Sequence, residues 1–206
     1  MEEKTNYEHD LASIRNIMER SVKFISLSGL AGVMAGFYAL IAAYIIYYTI
    51  YQGQLSQTHD YFEFFPNRVY QIVLVGAVTL VASLFTGWYL TYRKAKKIGA
   101  SMWNTTSRRL LLNLLIPLIS GGLFVLALLW HGYVGHVGPA CLIFYGLALL
   151  SASANLVDEV RYLGYCELIL GVVAAFIVGY SLIFWAIGFG VLHIVYGVLM
   201  YRKYDA

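Results

Sequence analysis

The chain has 206 residues, of which 60% are hydrophobic and only 12% charged, with a net charge of +3 and a mean hydropathy of +0.69. A soluble domain carries about twice that charged fraction, so an aqueous fold is excluded and the outer surface must face lipid. The two cysteines, Cys141 and Cys166, both sit in apolar runs, which excludes a disulfide-stapled secreted domain.

Residues 1–23 are a charged lead. Thr5-Asn6-Tyr7-Glu8 has the capping-box pattern, and Tyr7, Leu11, Ile14, Met18 and Ile25 recur at heptad-like spacing. That predicts a short amphipathic N-terminal helix, lying on the membrane surface, against the bundle, or on a second copy. The first apolar run follows without a small-residue cleavage site and is read as a retained span, not a signal peptide.

A helix rises 1.5 Å per residue and the hydrocarbon core is about 30 Å thick, so a crossing needs roughly 20 apolar residues. Six runs meet or approach that length, over approximately residues 24–51, 69–90, 110–130, 137–155, 163–180 and 182–201. The last two nearly join; as one helix they would be about twice the bilayer thickness, so the chain must turn back, at Gly179-Tyr180-Ser181. Lipid satisfies no backbone group, and these runs lack the alternation of a barrel strand. The expected fold class is all-α, a polytopic transmembrane helical bundle forming a single integral membrane domain over residues 1–206.

Within the spans, Gly29, Gly32 and Gly36 in the first and Gly188, Gly190 and Gly197 in the sixth mark places where helices approach closely. Pro117, followed by Ser120-Gly121-Gly122, predicts a kink in the third span.

Lys and Arg stay on the cytoplasmic side during insertion. Of the 14 such residues, all but Arg68 fall on one side of a six-span arrangement, which puts the N-terminus and the C-terminus in the cytoplasm. The expected location is the cytoplasmic (inner) membrane of a bacterium. Residues 91–109 form a basic cytoplasmic loop in which Arg93, Lys94, Lys96, Lys97, Arg108 and Arg109 suit the headgroups of anionic phospholipids. Interleaved aromatics are missing there, so no nucleic acid is expected. The outer loop Gln52 to Arg68 carries Tyr61, Phe62, Phe64 and Phe65, fit for the interfacial zone, and its His59, Asp60 and Glu63 read as solvated polarity.

An ionisable group inside a bilayer persists only when partnered or facing water. Counted at 1.5 Å per residue, Glu167 in the fifth span and His193 in the sixth lie at similar depths, roughly 9 and 12 Å from the cytoplasmic side. With Asn113, Asn155, Asp158 and Arg161 in the same inner half, and Ser151 beside Asn155, they outline a polar pocket open to the cytoplasm. The plainer alternative is that the amides bridge neighbouring helices and the 158–161 segment is a solvated turn.

His193 is the only histidine inside a span, so a bis-histidine haem is disfavoured, and no catalytic motif of known geometry occurs. No metal or cofactor is expected. Three functions stay open: an accessory or scaffold subunit of a membrane complex, favoured, with a homo-oligomer or another membrane protein as partner; a small-solute or ion/proton-coupled transporter using Glu167 and His193; and an intramembrane enzyme.

Overall fold

The computed structural model describes residues 28–51, 66–97, 105–153 and 157–205. The N-terminal arm at residues 1–23, the outer loop at 52–65, the middle of the basic loop at 98–104, and Asn155 lie outside the described residues.

Among the described residues nearly all are helical and none is in a strand. The helices are α1 (Gly29–Tyr51), α2 (Pro66–Lys97), α3 (Thr105–Trp130), α4 (Val137–Ala152), α5 (Asp158–Phe176) and α6 (Ser181–Tyr204). A 3-10 turn at Val134–His136 leads into α4 and another at Val178–Tyr180 leads into α6. Ile177, at φ −125° and ψ 57°, caps α5 and α6 begins at Ser181, so the chain turns back over residues 177–180, overlapping the expected Gly179-Tyr180-Ser181.

Five of these helices, all but α5, are long and apolar enough to cross a membrane. In α5 the apolar run is interrupted by Glu159, Arg161 and Glu167. Length and composition therefore account for five of the six expected crossings, and the sixth helix differs by the very residues that draw attention to it.

Charged side chains tie the helix ends together. The Gly29 N–H, at the start of α1, donates to Asp205 Oδ2 at 2.8 Å, and the Ser28 hydroxyl donates to the same oxygen at 3.4 Å. Lys94, near the end of α2, pairs with the same carboxylate. Glu159, at the start of α5, accepts from Lys203, at the end of α6. Burial raises the Glu159 carboxyl, but hydrogen bonds and charge from Lys203, with Tyr204 assisting, outweigh it and hold the group below its ordinary value. Residues 28 and 205 thus sit at one end of the bundle, with α1 and α6 antiparallel. Asp205 does for α1 what an N-cap does, placing an acceptor and a negative charge at the positive end of the helix dipole. Asp205→Ala is expected to cost about 1–2 kcal/mol, read as a lower melting midpoint in detergent; melting unchanged from the parent chain means the clamp holds nothing.

α2 packs on α1, α1 on α6, α3 on α4, and α4, α5 and α6 close on one another. Two of these contacts are built on glycine. A Cβ at Gly29 or Gly36 would strike α6 backbone, one at Gly197 would strike Val33 and Gly29 of α1, and Gly190 makes room for Leu40. Gly146 and Gly164 bring α4 and α5 together in the same way: a Cβ at Gly146 would lie 2.7 Å from Leu168 N and 2.8 Å from Gly164 O. Close backbone approach replaces the hydrophobic effect as the source of helix association in lipid. Near the charged end, Leu149, Ala152, Val157, Val160, Leu163 and Met200 form a buried cluster onto which Leu110 and Leu114 of α3 pack.

Pro117, where a kink is expected, lies inside α3, which is helical on both sides of it. Proline removes a single ladder hydrogen bond, which a 26-residue helix can carry. In α6 the α-helical winding is interrupted: Ala186–Leu192 is wound as a π-helix between two α-helical pieces.

Candidate functional site

The buried face of α5 is Val160, Leu163, Gly164, Glu167, Gly171 and Ala174, an i, i+3, i+4, i+7 stripe. Glu167 is part of that stripe, so packing the stripe against α4 and α6 carries a carboxyl into the interior. It is 0% exposed. On α6 the corresponding stripe is His193, Gly197 and Met200, and His193 is 6% exposed.

The two side chains lie side by side, His193 Nδ1 being 3.4 Å from Glu167 Oε1. That is ion-pair range without hydrogen-bond geometry, and neither Glu167 oxygen has a hydrogen-bond partner among the described residues. Nδ1 lies closer, 3.0 Å, to the Gly188 carbonyl. Nε2 lies 2.9 Å from the Tyr145 hydroxyl of α4. Three helices therefore meet at one imidazole.

The local backbone explains the fit. Gly188 belongs to the π-helical turn, and its carbonyl is offered to a side chain five residues on. Extra residues in a helical turn displace the hydrogen-bond ladder, and such turns are frequent at functional sites. A Cβ at residue 188 would stand 2.5 Å from Glu167 Oε2 and 2.4 Å from a methyl of Leu142, so a larger residue there would push both side chains aside. Aromatic rings wall the cluster: Phe189 lies 5.7 Å from His193 and 5.1 Å from Tyr145, and Trp185 lies 5.3 Å from Phe189, all between centroids. In such surroundings a charge without a partner costs several kcal/mol.

Of the polar residues expected to share a pocket, only Glu167 and His193 are brought together. Asn113, Ser151, Asp158 and Arg161 are exposed on the outer surface of the bundle, and Asn155 lies outside the described residues. Arg161 Nε reaches back to Ser153 Oγ, at 3.5 Å. A cytoplasm-facing pocket lined by all of them is therefore not what the described residues form: rotation about the helix axis, which residue depth does not report, turns four of them outward. Of the basic residues, Arg93, Lys96, Lys97, Arg108 and Arg109 are exposed, Arg93 lying 5.8 Å over the Tyr89 ring, while Lys94 is turned to Asp205.

Two features were not foreseen. Tyr145 sits in an apolar run where its hydroxyl gives no sign of a partner, and the π turn has no sequence signature beyond Gly188 and Gly190. A cleft of about 300 Å³ between α1 and α2, lined by Tyr38, Ile41, Ala42, Leu74, Val78 and Ala82, is almost wholly apolar and offers shape without chemistry. Cys141 is half-buried and Cys166 exposed, and both are free thiols.

The chain matches no protein-family model, no curated protein and no solved structure, so its site is read from its own residues.

Proposed function

We propose that the chain crosses the cytoplasmic membrane of a bacterium six times, with both ends in the cytoplasm, and serves as an accessory or scaffold subunit of a larger membrane assembly. The sixth crossing is α5, whose 19 residues are about 28 Å long and whose charges are confined to its first turns and to a carboxyl turned inward. The meeting of residues 28 and 205 at one end supports an even number of passes. The cations of that end support placing it in the cytoplasm, where Arg93, Lys96, Lys97, Arg108 and Arg109 each gain about 1 kcal/mol beside anionic phospholipid headgroups.

The observation that carries the subunit reading is the bareness of α2 and α3. None of the apolar stretch of α2 and 6% of that of α3 is buried in the bundle, against 33% for α1 and α4. Gly76 and Gly87 of α2 and Gly122 of α3 have nothing within 4 Å of where a Cβ would stand, whereas Gly121 of α3 is packed on Phe144 and the glycines of α1, α4 and α5 are packed too. Open small residues let a further helix approach closely. A photo-crosslinking residue placed at Gly76 or Gly122 in native membranes is expected to give a discrete protein adduct, either a second copy or a partner. Adducts to lipid alone would sink the subunit reading.

The fully buried Glu167, with neither oxygen hydrogen-bonded, favours a second reading, an ion- or proton-coupled transporter. It needs α5 and α6 to part during the cycle, because the pair is enclosed. An intramembrane enzyme needs a substrate at the same carboxyl, which its 0% exposure opposes.

A further inference from the structure

His193 Nδ1 faces two oxygens, the Gly188 carbonyl at 3.0 Å and Glu167 Oε1 at 3.4 Å. A carbonyl donates nothing, so Nδ1 carries a hydrogen whatever the charge on the ring. Passing that hydrogen to Glu167 would leave the Nδ1 lone pair pointing at the Gly188 carbonyl oxygen. The variable position is therefore Nε2, on the side of Tyr145. Bare, Nε2 accepts a hydrogen bond from the hydroxyl; protonated, it donates to it, and the hydroxyl hydrogen turns away.

One added proton makes the cluster neutral, and on Nε2 it meets the Tyr145 oxygen, whereas neither Glu167 oxygen has a hydrogen-bond partner among the described residues. With Nε2 bare and Glu167 ionised, the cluster holds one negative charge at 0% exposure and no counter-charge. With Nε2 protonated it is neutral overall, an imidazolium beside a carboxylate. We propose that Glu167, His193 and Tyr145 form a proton-binding site: the proton binds at His193 Nε2, Glu167 is its fixed counter-charge, and the Tyr145 hydroxyl is the group through which it enters and leaves.

The titratable groups around the site agree with this. α4 presents Tyr145, with Cys141 one turn before it; α6 presents Tyr196 one turn after His193; and α1 meets α6 through Gly36 and Leu40, which do not titrate. Among the described residues, His193 is the basic group paired with the Glu167 carboxylate. Release of the proton leaves Glu167 as a lone buried anion, so it must accompany hydration of the α5–α6 contact. The inference stands whether the chain is a subunit or a carrier, and an absence of protein crosslinks at Gly76 leaves it untouched.

The test is a nitrogen-15 histidine spectrum of the whole chain in lipid nanodiscs at neutral pH, with the His193 signals identified by their loss in His193→Phe. The expected result is two protonated ring nitrogens on His193 in the parent chain, and loss of the Nε2 hydrogen but not the Nδ1 hydrogen in Glu167→Gln. Tyr145→Phe is expected to keep both hydrogens and to lose the fast exchange of the Nε2 hydrogen with bulk water. Where a variant does not fold, the parent chain alone decides, through the infrared spectrum of carbon-13-labelled glutamate: absence of a protonated carboxylic acid from the buried Glu167 supports the proposal. A single protonated nitrogen on His193 together with a protonated Glu167 overturns it, as does a His193 spectrum unchanged in Glu167→Gln.

Discussion

Replacing His193 by Phe while Glu167 stays in place is expected to lower the stability of the folded bundle by about 3–5 kcal/mol, the cost of removing one partner from a buried ionic pair. The phenyl ring fills the space between Tyr145 and Phe189, so little of that loss comes from packing. It comes from a carboxyl at 0% exposure whose one charged neighbour, at 3.4 Å, has gone. The comparison that isolates the pair is the double variant Glu167→Leu with His193→Phe. Exchanging a whole buried pair for apolar groups of similar size is close to neutral, so the double variant is expected within about 1–2 kcal/mol of the parent chain. Reversible unfolding by denaturing detergent from mild micelles, run as a four-member cycle, measures both numbers. Additive losses in the double variant would show that Glu167 and His193 act separately. Tyr145→Phe belongs in the same series and is expected to cost about 1 kcal/mol, one hydrogen bond to Nε2.

The second large effect concerns the glycine contact between α1 and α6. Gly197→Leu places a side chain against Val33 N and Gly29 O, atoms of the α1 backbone that no rotamer change can move. A loss of about 3 kcal/mol is expected, at the upper end for overpacking, together with poor accumulation in the membrane. Because α1 carries α2 on its far side, the failure separates that pair from α4, α5 and α6. Gly76→Leu on α2 makes the same chemical change where nothing stands within 4 Å. It is expected to leave the melting of the isolated chain within about 0.5 kcal/mol and to reduce crosslinking to a partner. Equal melting for the two variants would remove the α1–α6 contact from the account of what holds the bundle.

These two expectations differ in how far each could be read without a structure. The glycines of the first and sixth runs are visible as small residues at helical spacing, but their pairing across α1 and α6 is seen only in the structure. Gly146 and Gly164 are just as tightly packed, yet they stand out from no background in an apolar run. Glu167 and His193 are conspicuous because an ionisable group in hydrocarbon is costly, and depth counting placed them at comparable levels. Asn113, Asp158 and Arg161 share that inner half and were grouped with them by depth alone. The structure turns them outward, since depth is set by position along the chain while direction is set by rotation about the helix axis.

The order of residues by itself determined that the chain is built of several apolar helices of membrane-crossing length and roughly where along it each one lies, because lipid solvation acts on each stretch of chain separately. Its cations predicted the common end at which residues 28 and 205 meet. Only the tertiary structure decided which helices are neighbours, that Tyr145 closes the cluster, and that α6 unwinds into a π turn so that Gly188 can face both Glu167 and His193. Those outcomes depend on how each helix rotates to bury its own stripe against a particular partner, a choice made jointly by helices far apart in the chain.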